Sequence, residues 1–260
     1  MSGRPATAGP RPRPAAERLR AGIADGVQTV EAFSRRDALD RDWMGWGALR
    51  VLSHQRWAPD AHDEGRVANM ERLLLVIEGS LDAGCGSLGR FRAEAGDLLW
   101  IGTGHGLESR LANASAGRPL RLLECWLQPD RVNAAPAAAV HRCVEGAVGW
   151  NLRAAPGGEA GALPLRQAAR VATACVEPGA TLPLPAADQG RWWLEVVAGG
   201  VVARPAGGAA RDAHVGWRLG EGDGLAWLAG DPHAPAAVVA AGPLPPRLLL
   251  LALPGAAPAG

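Results

Sequence analysis

The chain has 260 residues, which is enough for one large domain or two of ordinary size. Its 27 basic and 26 acidic residues give a net charge of +1, so no broad electrostatic field attracts nucleic acid or an anionic membrane surface. The sequence also contains no apolar run of the length that spans a bilayer and no secretion signal at its start. We therefore expect a cytoplasmic protein with neither nucleic-acid nor membrane partners.

The first residues of the chain are rich in proline and arginine and poor in apolar side chains. Such a composition cannot bury enough apolar surface to order a segment, so residues 1–26 are predicted to form a flexible tail. The ordered part of the chain is expected to begin near Val27.

From that point onward, short apolar runs alternate with glycine, proline and aspartate. This spacing is typical of strands, and no long segment with a 3.6-residue period separates the runs. The sequence therefore predicts an all-β protein rather than an α/β one. The runs that carry this prediction are 73–77, 98–101, 120–127, 193–197, 201–202, 225–228, 236–240 and 248–251.

Two segments of the first half are repeated in the second half. LLLVIEGSL at 73–81 parallels WLEVVAGGV at 193–201, and AGDLLWIG at 95–102 parallels DGLAWLAG at 223–230. A repeat of about half a chain indicates two copies of one domain and not a solenoid of small units. The predicted domains are residues 27–136 and 137–254, with a linker near 130–136 and a second flexible tail at 255–260.

The first domain carries a set of motifs that resembles the pirin family of bicupins. The matching residues are Phe33-Ser34, Met44-Gly45-Trp46, Ala48-Leu49-Arg50-Val51, Glu71, Glu78-Gly79, Gly104-x-Gly106-Leu107, Asn113, Leu122 and Trp126. The resemblance implies two tandem cupin barrels, each a double-stranded β-helix of the jelly-roll type.

In that family, a His-x-His pair and a His-x-Glu pair hold an iron-like ion in the first barrel. Matching without gaps places the first pair at Gly65 and Val67 and the second at Ser109 and Leu111. We call these residues the four ligand positions. None of the four has an imidazole or a carboxylate, and a metal site needs several such donors. We therefore expect no metal, no other cofactor and no catalytic residue here, with iron or another divalent transition metal as the alternative.

A metal site displaced by a few residues is the other possibility. Asp63 and His105 have the parity to face the barrel interior, whereas His62, three residues before Gly65, and Glu108, one residue before Ser109, are shifted by an odd number and should face outward. In the second half, His141, His214 and His233 each stand alone in the sequence. The sequence thus gives Asp63 and His105 as weak candidates for a displaced site.

With the ligands replaced, the interior of the first barrel becomes more apolar. Val67, Ser109, Leu111 and Trp100 are the predicted pocket residues, and most of the ten tryptophans are expected in the core. The preferred hypothesis is a non-catalytic bicupin that binds a small apolar molecule or a protein in a binding, regulatory or interaction role. The alternative, implied by the resemblance alone, is a metal-dependent quercetin 2,3-dioxygenase.

Overall fold

The computed structural model describes residues 9–36, 38–115, 117–143, 147, 149–186, 190–206 and 216–255. These residues form twenty-two strands, three short 3-10 helices and no α-helix. None of the helices in this part of the chain is long and apolar enough to cross a membrane. The 3-10 helices are Ala15–Glu17, Gly86–Leu88 and Glu159–Gly161. The strands are β1 Arg11–Arg13, β2 Leu19–Ala24, β3 Val27–Glu31, β4 Leu49–Trp57, β5 His62–Val67, β6 Glu71–Glu78, β7 Ser80–Gly84, β8 Arg90–Glu94, β9 Leu98–Gly102, β10 Leu107–Asn113, β11 Leu120–Leu127, β12 Ala137–His141, β13 Asn151–Pro156, β14 Leu163–Leu165, β15 Arg170–Cys175, β16 Thr181–Pro183, β17 Arg191–Ala198, β18 Gly200–Pro205, β19 Trp217–Gly220, β20 Gly224–Leu228, β21 Pro235–Ala240 and β22 Arg247–Leu253.

The strands form two barrels, each made of one four-stranded and one seven-stranded sheet. In the first barrel the strand orders are β5-β10-β7-β8 and β12-β9-β6-β11-β4-β3-β2. In the second barrel they are β16-β21-β18-β19 and β1-β20-β17-β22-β15-β13-β14. The four-stranded sheets correspond strand by strand, and so do the first five strands of the seven-stranded sheets, whereas β2 and β3 pair antiparallel and β13 and β14 pair parallel. This correspondence confirms the prediction of an all-β bicupin made from a duplicated domain.

The two glycine turns of the first barrel are needed for steric reasons. Gly79 joins β6 to β7 with φ of 84°, and a Cβ there would overlap Ser115 Oγ. Gly104 joins β9 to β10 with φ of 51°, and a Cβ there would overlap the carbonyl oxygen of Ala134. Only glycine combines that backbone conformation with that close approach.

The core has three parts. One fills the first barrel, one fills the second, and the largest lies between the two seven-stranded sheets. Trp192 packs inside the second barrel, whereas its neighbour Trp193 packs between the barrels. This division agrees with the prediction that successive strand residues face opposite sides.

The prediction of a flexible tail over residues 1–26 is wrong for residues 11–24. Strand β1 pairs with β20 of the second barrel, and β2 pairs with β3 of the first. Arg13 is buried and forms an ion pair with Asp40 at 2.9 Å. Arg18 donates two hydrogen bonds, of 2.7 and 2.9 Å, to the buried carboxylate of Glu195. Arginines that a composition argument assigns to solvent are thus held by partners far along the chain.

The predicted boundary between residues 136 and 137 also needs correction. Strand β12 pairs with β9 and so completes the seven-stranded sheet of the first barrel. Strand β1 does the same for the second barrel by pairing with β20. Each half of the chain therefore supplies a strand to the sheet of the other half, and the two barrels are not separable at a single linker.

Candidate functional site

The four ligand positions lie on two paired strands of the first barrel. Gly65 on β5 lies opposite Ser109 on β10, and Val67 lies opposite Leu107. Along β10, residues 107, 109 and 111 are buried, whereas Glu108 and Arg110 are exposed. This alternation, together with the pairing across the strands, places the four ligand positions on one face of the strand pair, although Gly65 is exposed and Val67 only partly buried. It also directs Glu108 to solvent.

The inward face of this strand pair offers one residue with a strong metal-ligating atom, Asp63, which lies opposite Leu111. Burial raises the pKa of the Asp63 carboxyl, and the nearby guanidinium of Arg72 acts in the opposite direction. His105 is exposed in the turn before β10, and its carbonyl oxygen accepts a hydrogen bond of 3.5 Å from Arg66. The structure therefore does not bring the two displaced-site candidates together with other donors.

A guanidinium group lies against the ligand positions instead. Arg72 begins the apolar part of β6, and its side chain is only 5% exposed. It donates two hydrogen bonds, of 2.6 and 2.8 Å, to Oε1 of Glu124 on β11. Its third contact is a hydrogen bond of 3.2 Å from Nη1 to Oγ of Ser109. A protein cation thus contacts a residue that stands where the family has a histidine.

Glu124 is the centre of this network. Its Oε2 accepts a hydrogen bond of 2.8 Å from Gln55 and lies 3.6 Å from Nη2 of Arg35. Burial would raise the pKa of Glu124, but the guanidinium groups of Arg72 and Arg35 hold it below the ordinary value. The carboxylate therefore stays ionised at neutral pH and keeps the ion pairs charged.

The ring of Trp126 lies beside both cations. The guanidinium carbons of Arg35 and Arg72 are 5.1 and 5.2 Å from its centroid. At this separation the aromatic face attracts each cation. The two cations that pair with Glu124 therefore also pack against Trp126.

These residues do not fit a divalent metal ion. Within the described ranges, no group of three or more histidine, cysteine, aspartate or glutamate side chains could hold one. Glu124, a second carboxylate in this region besides Asp63, already pairs with Arg72 and Arg35. An incoming divalent ion would have to displace a guanidinium before it could reach an oxygen ligand.

The remaining predicted residues lie elsewhere. Trp100 packs in the core between the barrels and donates a hydrogen bond of 3.0 Å to Glu71, on the opposite face of its strand from the barrel interior. It therefore does not share a cavity with Val67, Ser109 and Leu111. Of the isolated histidines, His141 lies on β12 and His233 is exposed, and His214 lies outside the described residues.

Sequence reasoning missed Arg72 and Glu124, although a signal was present. Both charged residues stand beside the apolar runs of mostly buried strands, ERLLLVIE and LRLLECWL. A charge in such a strand is buried, and a buried charge requires a partner. The sequence could have identified the two as a candidate pair, but not their contact with Ser109.

Comparison with known proteins links the chain to pirins. It is 28% identical over 205 residues to a Zymomonas mobilis protein named provisionally as a quercetin 2,3-dioxygenase, an alignment that covers 70% of this chain and 79% of that protein. It is 27% identical over 144 residues to the pirin-like protein YhaK of Escherichia coli O157:H7, covering 54% of this chain and 60% of YhaK, less than two thirds of its length. No protein-family model matches the chain.

The fold agrees with these sequence matches. The Escherichia coli pirin YhhW, in its complex with nickel(II), superposes with a TM-score of 0.81 at 23% identity, covering 95% of this chain and 99% of YhhW. The chain is thus similar to pirins in sequence and shares the fold of a pirin. In this chain, the strand pair that matches the ligand positions of pirins faces an arginine–glutamate pair.

Proposed function

We propose that this protein works without a metal ion in its first barrel and acts as a non-catalytic binding or regulatory protein. The observation that carries the proposal is the contact of Arg72 with Ser109 and Glu124 inside that barrel. A positive charge that is permanently present there takes over the electrostatic role of a bound cation, because it neutralises the buried carboxylate.

Electrostatics supports the proposal. At about 4 Å and an effective dielectric constant of about 20, two unit charges interact with about 4 kcal/mol. A divalent ion beside the Arg72 guanidinium would meet about twice that repulsion. The ligand positions, occupied by glycine, valine, serine and leucine, supply little coordination energy to offset it.

Flavonol oxygenation is the second candidate. It is supported by the name of the Zymomonas mobilis relative, which shares 28% identity with this chain over most of its length. A fold and a family do not establish an activity, which depends on the groups at the site. Oxygenation of this kind would need a metal at the ligand positions, and those residues do not fit one.

Metal analysis of the purified protein tests the proposal. The protein would be expressed in medium supplemented with iron, nickel, manganese and copper, dialysed, and measured by plasma mass spectrometry. The Escherichia coli pirin YhhW, which has been crystallised with nickel(II), is the matched control. We expect metal in YhhW and far less than one ion per chain in this protein.

A quercetin turnover assay with each metal added completes the test. We expect no loss of the flavonol absorbance beyond that of buffer with metal. Near-stoichiometric metal that survives dialysis, together with turnover abolished by Asp63→Asn, would overturn the metal-free proposal and favour the dioxygenase. Asp63 is the variant of choice because it is the inward-facing carboxylate on the strand pair.

A further inference from the structure

A cavity of about 500 Å³ lies where the two barrels meet, well apart from the ligand positions. Its walls come from both seven-stranded sheets and include Leu75 and Ile77 of β6, Val197 of β17 and Leu248 of β22. The volume falls within the range of pockets that hold small molecules, and the walls are mainly apolar, as in such pockets. The cavity therefore has the size and lining of a ligand site.

One end of the cavity carries a buried cation. Arg153 on β13 is 4% exposed and lines the cavity. Its four hydrogen bonds all go to uncharged acceptors. These are the carbonyl oxygens of Gly96 and His141, at 2.9 and 3.0 Å, Nδ1 of His141 at 3.1 Å, and Oγ1 of Thr173 at 3.2 Å. A guanidinium has five N–H donors, so one is left for a ligand.

Arg153 forms no direct ion pair in the described part of the chain, although the charge of Asp97 acts to raise its pKa. Among the described residues, no aspartate or glutamate oxygen lies within 4 Å of the Arg153 guanidinium. Asp97, the nearby acidic residue, instead pairs with Arg142 at 2.6 Å. A buried charge without a direct ion-pair partner is costly, and burial lowers the pKa of Arg153. An anion bound in the cavity would remove that cost.

The other polar groups at this end are also suited to an acid. The imidazole of His141 lines the cavity, and its Nδ1 lies 3.1 Å from Nε of Arg153 and 3.0 Å from the carbonyl oxygen of Arg142. A second cation, Arg247, lines the cavity and donates to the carbonyl oxygen of Ile77 at 3.2 Å. Among the described residues that line the cavity, Glu177 alone is acidic, and it is exposed.

We propose that the cavity between the barrels binds a small monocarboxylic acid with an apolar body, whose carboxylate pairs with Arg153 and whose body packs on Leu75, Ile77 and Val197. Guanidinium is the side chain best matched to a carboxylate, and a charge-assisted hydrogen bond is stronger than a neutral one. This inference rests on the proposed binding role but not on the state of the first barrel.

Calorimetric titration with 2-naphthoate tests the inference. Its neutral counterpart, 2-naphthamide, has the same apolar body without the charge. We expect saturable binding of the acid to the full-length protein, and binding of the amide weaker by at least about tenfold, the lower end of what a charged hydrogen bond contributes. Equal affinities for acid and amide, or no binding of the acid up to about 5 mM, would overturn the inference.

Arg153→Gln provides the second arm, with Arg110→Gln as the matched control because Arg110 is exposed on the first barrel. The acid should bind Arg153→Gln at least about tenfold more weakly and Arg110→Gln as the unmodified protein does. If Arg153→Gln does not fold, the comparison of acid with amide decides alone. Binding that survives Arg153→Gln but is lost in Ser109→Trp would place the ligand in the first barrel. That result would refute this inference and leave the proposed function standing.

Discussion

Replacing Arg72 with methionine should destabilise the protein strongly. The substitution removes two hydrogen bonds to Glu124 and one to Ser109, and leaves a fully buried carboxylate with Gln55 and the more distant Arg35. Breaking a buried ion pair from one side costs about 3–5 kcal/mol, and the remaining partners place this case near about 3 kcal/mol. For a chain of this size, that is a decrease in Tm of about 6–12 °C.

Urea unfolding and thermal melting, both followed by circular dichroism, would measure this effect. The double variant Arg72→Met/Glu124→Leu removes both charges and should recover at least about 1 kcal/mol of the loss, because apolar groups replace the pair. Arg110→Met is the control, since the Arg110–Glu64 pair is exposed and should contribute little. A single variant as stable as the unmodified protein, or a double variant less stable than the sum of its parts, would refute the reasoning.

Three further predictions concern pH, the N-terminal strand and metal binding. Burial would raise the pKa of Glu195, but its cationic partners hold it below the ordinary 4.5. The stability that this group contributes is therefore present above about pH 4.5, and it is lost as pH falls through the folded pKa. Glu195→Gln should lower stability at pH 7 and flatten that acid decline in urea unfolding from pH 7 to pH 3, and an unchanged decline would contradict the assignment. Deleting residues 1–13 should lower Tm and increase light scattering, because the deletion exposes the edge of β20. Deleting residues 1–8 should change neither quantity. Equal Tm values for the two deletion variants would count against a structural role for β1. The last prediction compares two variants that both carry the family's histidines and glutamate at the four ligand positions. The variant that also carries Arg72→Leu should bind nickel(II) at least about a hundredfold more tightly in calorimetry than the variant that retains Arg72. Equal affinities would contradict the electrostatic argument.

The sequence by itself determined the duplicated all-β architecture and the faces of the strands. A period of two decides which side of a sheet a residue occupies, so the inward direction of Ser109 and the outward direction of Glu108 could be predicted. The repeated strand motifs identified two barrels, because a repeated motif, like the alternation within a strand, is visible in the local order of residues.

Only the tertiary structure decided which distant groups meet. Arg72 and Glu124 are far apart in sequence and join because β6 and β11 are neighbours in one sheet. Strand β1 was predicted to be part of a flexible tail, because the composition of this segment does not show that it pairs with the edge of β20 or that Arg13 forms an ion pair with Asp40. Trp100 was assigned to the wrong side of its sheet because its strand is buried on both faces and shows no alternation. Local pattern fixes the direction of a side chain, whereas the identity of its partner depends on how strands of widely separated sequence pair.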